Sequence, residues 1–368
     1  MWINITREIF EKAEFKSLNF LYQILSWYPT NSNPRYTIIV DTEVVKNTEN
    51  FILLSSIEKS LKEFLDIEFS NFANLNSSIS YKIAYKNRCN NFNIEEAILF
   101  FTQPVSIILE NNKNDSQFII AIIKHFGDNG INNKAQEHLD NGWIQFENAG
   151  GCTNVSNFLE GFLRKYKSIA DKNSRNVSEY FRGIIILDSD IEYLSQSSKH
   201  VELMNKLKSL GIDNNVHILQ KRMMENYLPK EVFEDLRSQN PISRNSDLKD
   251  WLDVYLNLNN EEQIDYLNIP DGFPPKKDKL DSSGIRKSIA PEILSQFSLS
   301  VTDINFQKLD KGFKFKGFDK SGNLKSGGSF KEEFPNLFKK AIVNKENLDF
   351  RDGKGELQEI ANKIMRLL

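Results

Sequence analysis

The chain has only two cysteines, Cys89 and Cys152, and four histidines, His125, His138, His200 and His217, in 368 residues. Two thiols cannot build a disulfide framework or a four-cysteine zinc site, and no two histidines stand at a helical metal-ligand spacing. Zinc chemistry is not expected. Long apolar runs are missing as well. The longest, such as Ile184-Ile185-Ile186-Leu187 after Gly183, are of strand length, far below the roughly 18 apolar residues that span a bilayer. The first residues already carry Arg7 and Glu8 without an apolar core, so no signal peptide is expected. Charge of one sign is lacking too: 47 Lys and Arg stand against 50 Asp and Glu, a formal charge of −3. A polyanion would therefore have to be met by a local basic surface. Together these absences predict a soluble, cytoplasmic protein with no membrane partner. What is present is ordinary for a globular chain, 40% hydrophobic and 26% charged residues, which excludes wholesale disorder. The length suits two or three domains at roughly 100–200 residues each. Asparagine, lysine and isoleucine are abundant, which reads as compositional bias.

The organisation predicts an α/β fold in three parts. Residues 1–100 read as an α+β accessory or interaction module, with a helix over 8–27, a break at 28–34, a strand over 36–40 and a helix over 56–69. Residues 101–240 alternate strands and helices. Strands are expected at 105–109, 143–146, 183–187 and 216–219, with helices following Asp115 as a cap and over 155–166 and 199–210. That alternation argues for a mostly parallel sheet of Rossmann-like type with right-handed crossovers. Residues 241–368 read as a C-terminal mixed region: helix over 241–263, a loop at 270–275, a hairpin within 303–330, and a closing helix over 356–368. No repeat of 20–50 residues is visible.

The chemistry concentrates at strand ends. Glu110 follows 105–109, and Asp188 and Asp190 follow 183–187. Ligands of open parallel sheets gather at the carboxyl ends of strands, so the three acids are expected to converge on one crevice. Period-two alternation would point Asp188 and Asp190 the same way. Carboxylates brought together repel, and a hard divalent cation, Mg²⁺ or Mn²⁺, is the simplest relief. Phosphoryl transfer is the chemistry such a centre supports. Lys221 and Arg222, just beyond 216–219, are placed to meet a phosphate or its developing charge.

The order strand–Glu110, strand–Asp188-Ser189-Asp190, strand, then Lys221-Arg222-Met223-Met224-Glu225-Asn226-Tyr227-Leu228-Pro229 resembles a TOPRIM domain. It looks most like those of the OLD (overcoming lysogenization defect) nucleases and of two-gene bacterial anti-phage systems, over about residues 104–240. The resemblance implies that Glu110, Asp188 and Asp190 bind one or two Mg²⁺ ions, that Asp115 is the second acid of the first motif, that Lys221 is catalytic, and that Glu225 is a further metal or neighbouring carboxylate. It implies an antiviral endonuclease that hydrolyses DNA or RNA, tRNA among the RNAs. The first motif departs from the family's Glu-Gly with an Asp four residues on: Asn111 replaces the glycine, and Asp115 stands five residues on. The family often carries an ATPase in the same chain. Here residues 312–318 have glycine spacing without the Gly-Lys-Ser/Thr ending of a phosphate loop, so the implied ATPase would be a separate subunit. Self-association is a further expected partnership.

Two other segments carry alternatives. Residues 147–154, with Gly150-Gly151-Cys152, read either as a phosphate-binding turn at a helix start or as a strand-to-helix turn that needs glycine; Cys152 has no marked histidine partner. Between 308 and 331, seven lysines against Asp310 and Asp319 give a local +5, interleaved with Phe313, Phe315, Phe318 and Phe330. Lys311, Lys314 and Lys316 could follow a nucleic-acid backbone while the rings stack on bases. The alternative is a hairpin with a buried Phe face and a solvated Lys face. Two competing functions share the fold: a catalytically inactive scaffold or docking subunit, and a primase-type nucleotidyl transferase, against which stands the lack of a zinc ribbon.

Overall fold

In a computed structural model of the chain, the structure describes residues 2–12, 35–40, 42–57, 81–86, 91–127, 134–273 and 289–368, with positions 14, 17, 19, 20, 22 and 23. The break expected at 28–34, most of the helix expected over 56–69, and Pro274 and Pro275 of the expected loop lie outside the described residues. The helix expected over 8–27 is described at its start as α1 (Arg7–Lys12), which buries Ile9 and Phe10.

The N-terminal part is built on β1 (Trp2–Ile5), β2 (Thr37–Ile39), β3 (Tyr81–Ile83) and β4 (Asn91–Phe92), in the order β2-β1-β3-β4. Every pairing among the described residues is parallel, which corrects the α+β expectation. Parallel neighbours need crossover connections, so this module is α/β. β2 falls within the strand expected over 36–40, whereas β3 and β4 are too short to show periodicity and β1 coincides with a start of the chain where no strand is expected. Helix α2 (Ile94–Thr102) follows, opened by a capping box in which Asn93 Oδ1 accepts the Glu96 N–H and Glu96 Oε2 accepts the Asn93 N–H, both at 2.9 Å. The buried Glu96 carboxylate also takes Arg175 Nε at 2.7 Å and the Tyr180 hydroxyl, tying the module to the central domain.

In the central domain, β5 (Val105–Leu109) and β7 (Gly183–Leu187) are buried at every position. Strands so apolar must be covered on both sides. Val105, Ile107, Leu109, Ile184 and Ile186 pack on one face with Phe118 and Ile122 of α3 (Asn112–Phe126). On the other, Ile108, Ile185 and Leu187 meet Val155, Leu159 and Leu163 of α4 (Val155–Arg164) and Leu207 of α5 (Val201–Ser209). With β6 (Ile144–Asn148) and β8 (Val216–Ile218), the sheet runs β6-β5-β7-β8, all parallel. This is the order of the N-terminal sheet repeated. β5 and β7 approach so closely at Gly183 that a Cβ there would lie 2.4 Å from the Ser106 carbonyl oxygen.

The C-terminal residues complete the first of these faces. Helix 241–263 is divided into Asn240–Ser243, α6 (Ser246–Leu256) and Glu261–Tyr266, because Asn245 and Asn260 each cap a new helix. The expected hairpin is not formed. Residues Ile304–Asp310 are helical behind an Asp303 cap, and one antiparallel bridge, Phe318 to Leu324, is what remains of strand pairing there. Phe313, Phe315 and Phe330 sit in the core, Phe313 stacked on Trp251 with ring centroids 4.7 Å apart. A two-stranded ribbon alone could not bury three such rings, whereas the central core can. Helices α7 (Phe330–Leu337) and α8 (Glu356–Met365) pack against α3. Among the described residues, no helix is long and apolar enough to cross a membrane.

Gly183→Ala should lower stability by about 2 kcal/mol or more, because the added methyl meets backbone rather than a movable side chain. Thermal unfolding against the unsubstituted chain measures it; an unchanged midpoint would contradict the packing described.

Candidate metal centre

The strand order sets the place of the site. From β5 the chain moves to β6 on one side and later crosses to β7 and β8 on the other, so the carboxyl ends of β5 and β7 flank a topological switch point, where such sheets bind ligands. Glu110 leaves β5 there and Asp188 leaves β7. The backbone N–H groups of Cys152 and Asp188 act on the Glu110 carboxylate and oppose the rise in its pKa, yet its Oε1 is buried with no hydrogen-bond partner. Burial, then the charges of Asp190 and Asp115, push its carboxyl up to about 7. Asp115 is not the cap of α3 but lies in its first turn, and its Oδ2 accepts the Asn111 N–H at 2.9 Å. Burial, reinforced by Glu225, pushes it up to about 7 as well.

Asp188 accepts the Met224 N–H at 3.0 Å, and burial together with Glu225, Asp115, Glu110 and Asp190 raises its carboxyl far above the ordinary range. Glu225 lies in the 3-10 turn Met224–Tyr227, buried, and burial raises it too, with Asp271 and Asp190 adding to the effect. Thus five acids from four separate segments act on one another. The route differs from the expectation in one respect: the extended chain ends at Leu187, and Asp190 takes φ +54°, so simple alternation does not aim it. The turn is held instead by the next loop, with Asp190 N–H donating to the Arg222 carbonyl at 3.0 Å and Ser189 Oγ to the Lys221 carbonyl at 2.8 Å. A left-handed non-glycine residue is strained backbone of the kind that clusters at functional sites.

The two adjacent bases part company. Arg222 is buried near the acids: Glu192, then Asp190, Asp188 and Asp271 are the charges that offset the effect of burial on its guanidinium, its Nη1 donates to the Tyr266 carbonyl at 3.2 Å, and its buried Nε has no partner. Lys221 turns into the interior, where its Nζ lies 2.6 Å from Asp265 Oδ1, and Arg351 Nη2 meets the same oxygen at 2.7 Å. Burial and the Arg351 charge lower its ammonium. Beside it, Glu356 of α8 accepts from His217 Nε2 at 2.8 Å, from the Gln220 N–H at 2.9 Å and from the Tyr227 hydroxyl. This network braces the 220–227 loop that presents Arg222 and Glu225. Lys331, opening α7, is the cation sequence reading left out of the site: its charge acts on Asp115 and Glu225. Only its place in the lysine-rich run could have marked it.

The 147–154 segment is a turn with Gly150 at φ +74° and Gly151 at φ +103°, where glycine is needed. Cys152 borders the acids, and burial with the charges of Glu110 and Asp190 raises its thiol, so it is kept protonated rather than reactive. Lys311, Lys314 and Lys316 stand elsewhere, in a separate surface pocket. Burial of Phe313, Phe315 and Phe330 overturns the reading in which those rings stack on bases.

Among the described residues, no three or more His, Cys, Asp or Glu side chains form a ready-made cage for a metal ion. The acids share one field without meeting at a point. The buried orphan oxygen of Glu110 and the all-oxygen donor set nevertheless suit a hard divalent cation. Compared with models of protein families, curated proteins and solved structures, the chain matches none.

Because Glu110 and Asp115 titrate near 7 in the fold and near roughly 4 when unfolded, the native state holds protons that the unfolded chain has released between those values. Stability of the metal-free chain should therefore fall as pH rises from about 4 to about 7, by on the order of 5 °C in midpoint. Asp188→Asn should flatten that fall, and Mg²⁺ should offset it at the upper end. Calorimetric scans across pH, with chelator or Mg²⁺, measure all three.

Proposed function

We propose that the chain is a Mg²⁺-dependent nuclease of the TOPRIM kind, hydrolysing phosphodiester bonds in DNA or RNA. The observation that carries this reading is the gathering of acids at the switch point, where the carboxyls of Glu110, Asp115, Asp188 and Glu225 are raised by burial and by neighbouring acids, Asp190 among them, with Arg222 alongside. Bound Mg²⁺ or Mn²⁺ would supply charge neutralisation and an acidified water. Glu110, Asp188 and Asp190 would hold the ion, and Glu225 and Asp115 would close the other side of the crevice. Asp115, near neutral in its titration, is suited to take a proton from an attacking water. Arg222 and Lys331 flank the acids and would bind the phosphate and its developing charge. Lys221 acts through position: paired with Asp265, it keeps the Arg222–Glu225 loop in place.

The resemblance to anti-phage effectors extends the proposal to a defence role, with activity restrained by a separate ATPase subunit. A second reading, a non-catalytic TOPRIM scaffold, draws support from the lack of a ready-made cage among the described residues.

Purified chain incubated with labelled DNA and tRNA should cleave one of them in Mg²⁺ and neither in chelator. Asp188→Ala should abolish cleavage, and Arg222→Met should reduce it by roughly 10²-fold. Mg²⁺ dependence lost with no cleavage in any condition, with or without a partner, would favour the scaffold. Lys221→Ala should act differently, costing about 3–5 kcal/mol of stability by leaving Asp265 and Arg351 a broken buried network; a urea melt measures it.

A further inference from the structure

A second charged concavity has none of the five acids in its wall. It has a volume of about 350 Å³ and is lined by Lys311, Lys314, Lys316 and Lys325, with Asp247 the one carboxylate in its wall. The residues that present these lysines are rigid. Gly312 stands at φ +69°, and a Cβ there would lie 2.3 Å from the Pro270 carbonyl oxygen. Phe313 and Phe315 are then anchored in the core, and the lysines between and after them are turned outward in alternation. Lys314 Nζ donates to the Pro270 carbonyl at 2.8 Å and Lys316 Nζ to the Ser326 carbonyl at 2.9 Å. These contacts orient the ammonium groups and leave their charge in place.

Lys325 pairs with the mostly buried Glu333 (3.2 Å), whereas the other ion pairs around the pocket, Lys311 with Asp247 (3.0 Å) and Lys314 with Asp271 (3.5 Å), join side chains open to water. Such pairs contribute little and exchange readily for an anion of higher charge. The wall also includes Asn245 and Leu248 at the N-terminal turn of α6, whose dipole favours negative charge. Four ammonium groups around a space near the lower end of small-ligand sites carry more positive charge than a single phosphate neutralises.

We propose that this pocket binds a compact polyphosphate, two or three joined phosphoryl groups as in a nucleoside di- or triphosphate. The site is independent of the nuclease reading, because none of its lysines belongs to the acid crevice.

The test is calorimetric titration of the full chain with inorganic triphosphate, in chelator and at low salt, alongside Lys314→Gln/Lys316→Gln, Lys311→Gln and Asp188→Asn. Saturable one-to-one binding is expected, weakened at least about tenfold in the double variant, less in Lys311→Gln, and unchanged in Asp188→Asn. The outer positions of these lysines allow thermal melts to verify that the variants fold. No saturable binding, or binding that ignores the lysine substitutions, overturns the proposal. So does a pocket that binds a short single-stranded oligonucleotide through these lysines but not triphosphate, since the face would then be a nucleic-acid track.

Discussion

Glu110, Asp115, Asp188 and Glu225, buried or half-buried around the ends of two neighbouring strands, have their affinity for protons raised by burial and by the acids beside them, and much of the surrounding structure can be understood as the means of keeping them there. Isolated buried anions are costly, and a chain free to relax would turn them toward solvent. Here they cannot all turn. Asp115 is held by the Asn111 N–H in the first turn of its helix, Asp188 by the Met224 N–H, and Glu225 by a buried 3-10 turn. The stress is stored locally, at the left-handed Asp190 and in acids that hold protons near neutrality. Compensation comes from the core behind them, whose aromatic side chains span residues 118 to 338.

The C-terminal region is therefore more than an appendage to the sheet. It contributes Asp265, Arg351 and Glu356 to the buried network that grips Lys221, His217 and Tyr227, and so sets the position of the loop carrying Arg222 and Glu225. It also brings Lys331 to the acids through α7. A charge change deep in this network would reach the crevice by moving a loop, with no side chain of the network touching a ligand.

Charge is segregated as well as paired. A chain of nearly balanced composition gathers acids at the switch point and lysines around a pocket on the C-terminal region. The two features call for different ligands, one a cation and the other a polyanion, although a single run of sequence, 311–331, feeds both.

The sequence by itself determined the central strands, the helices between them and the acids at the strand ends, because apolar runs that must be buried on both faces leave a local imprint whatever surrounds them. Strand–Glu110 and strand–Asp188 were legible for that reason. Only tertiary structure decided which base lies near the acids. Lys221 and Arg222 are adjacent in the chain, and the choice between them rests on Asp265 and Arg351, 44 and 130 positions beyond Lys221, that is, on partners no local pattern connects to them. It likewise decided that Phe313 and Phe315 belong to the core, since an alternating Phe and Lys run fits a ribbon equally well until Trp251 is packed against it. Periodicity reports which side of an element is apolar; what lies against that side is a property of the folded chain.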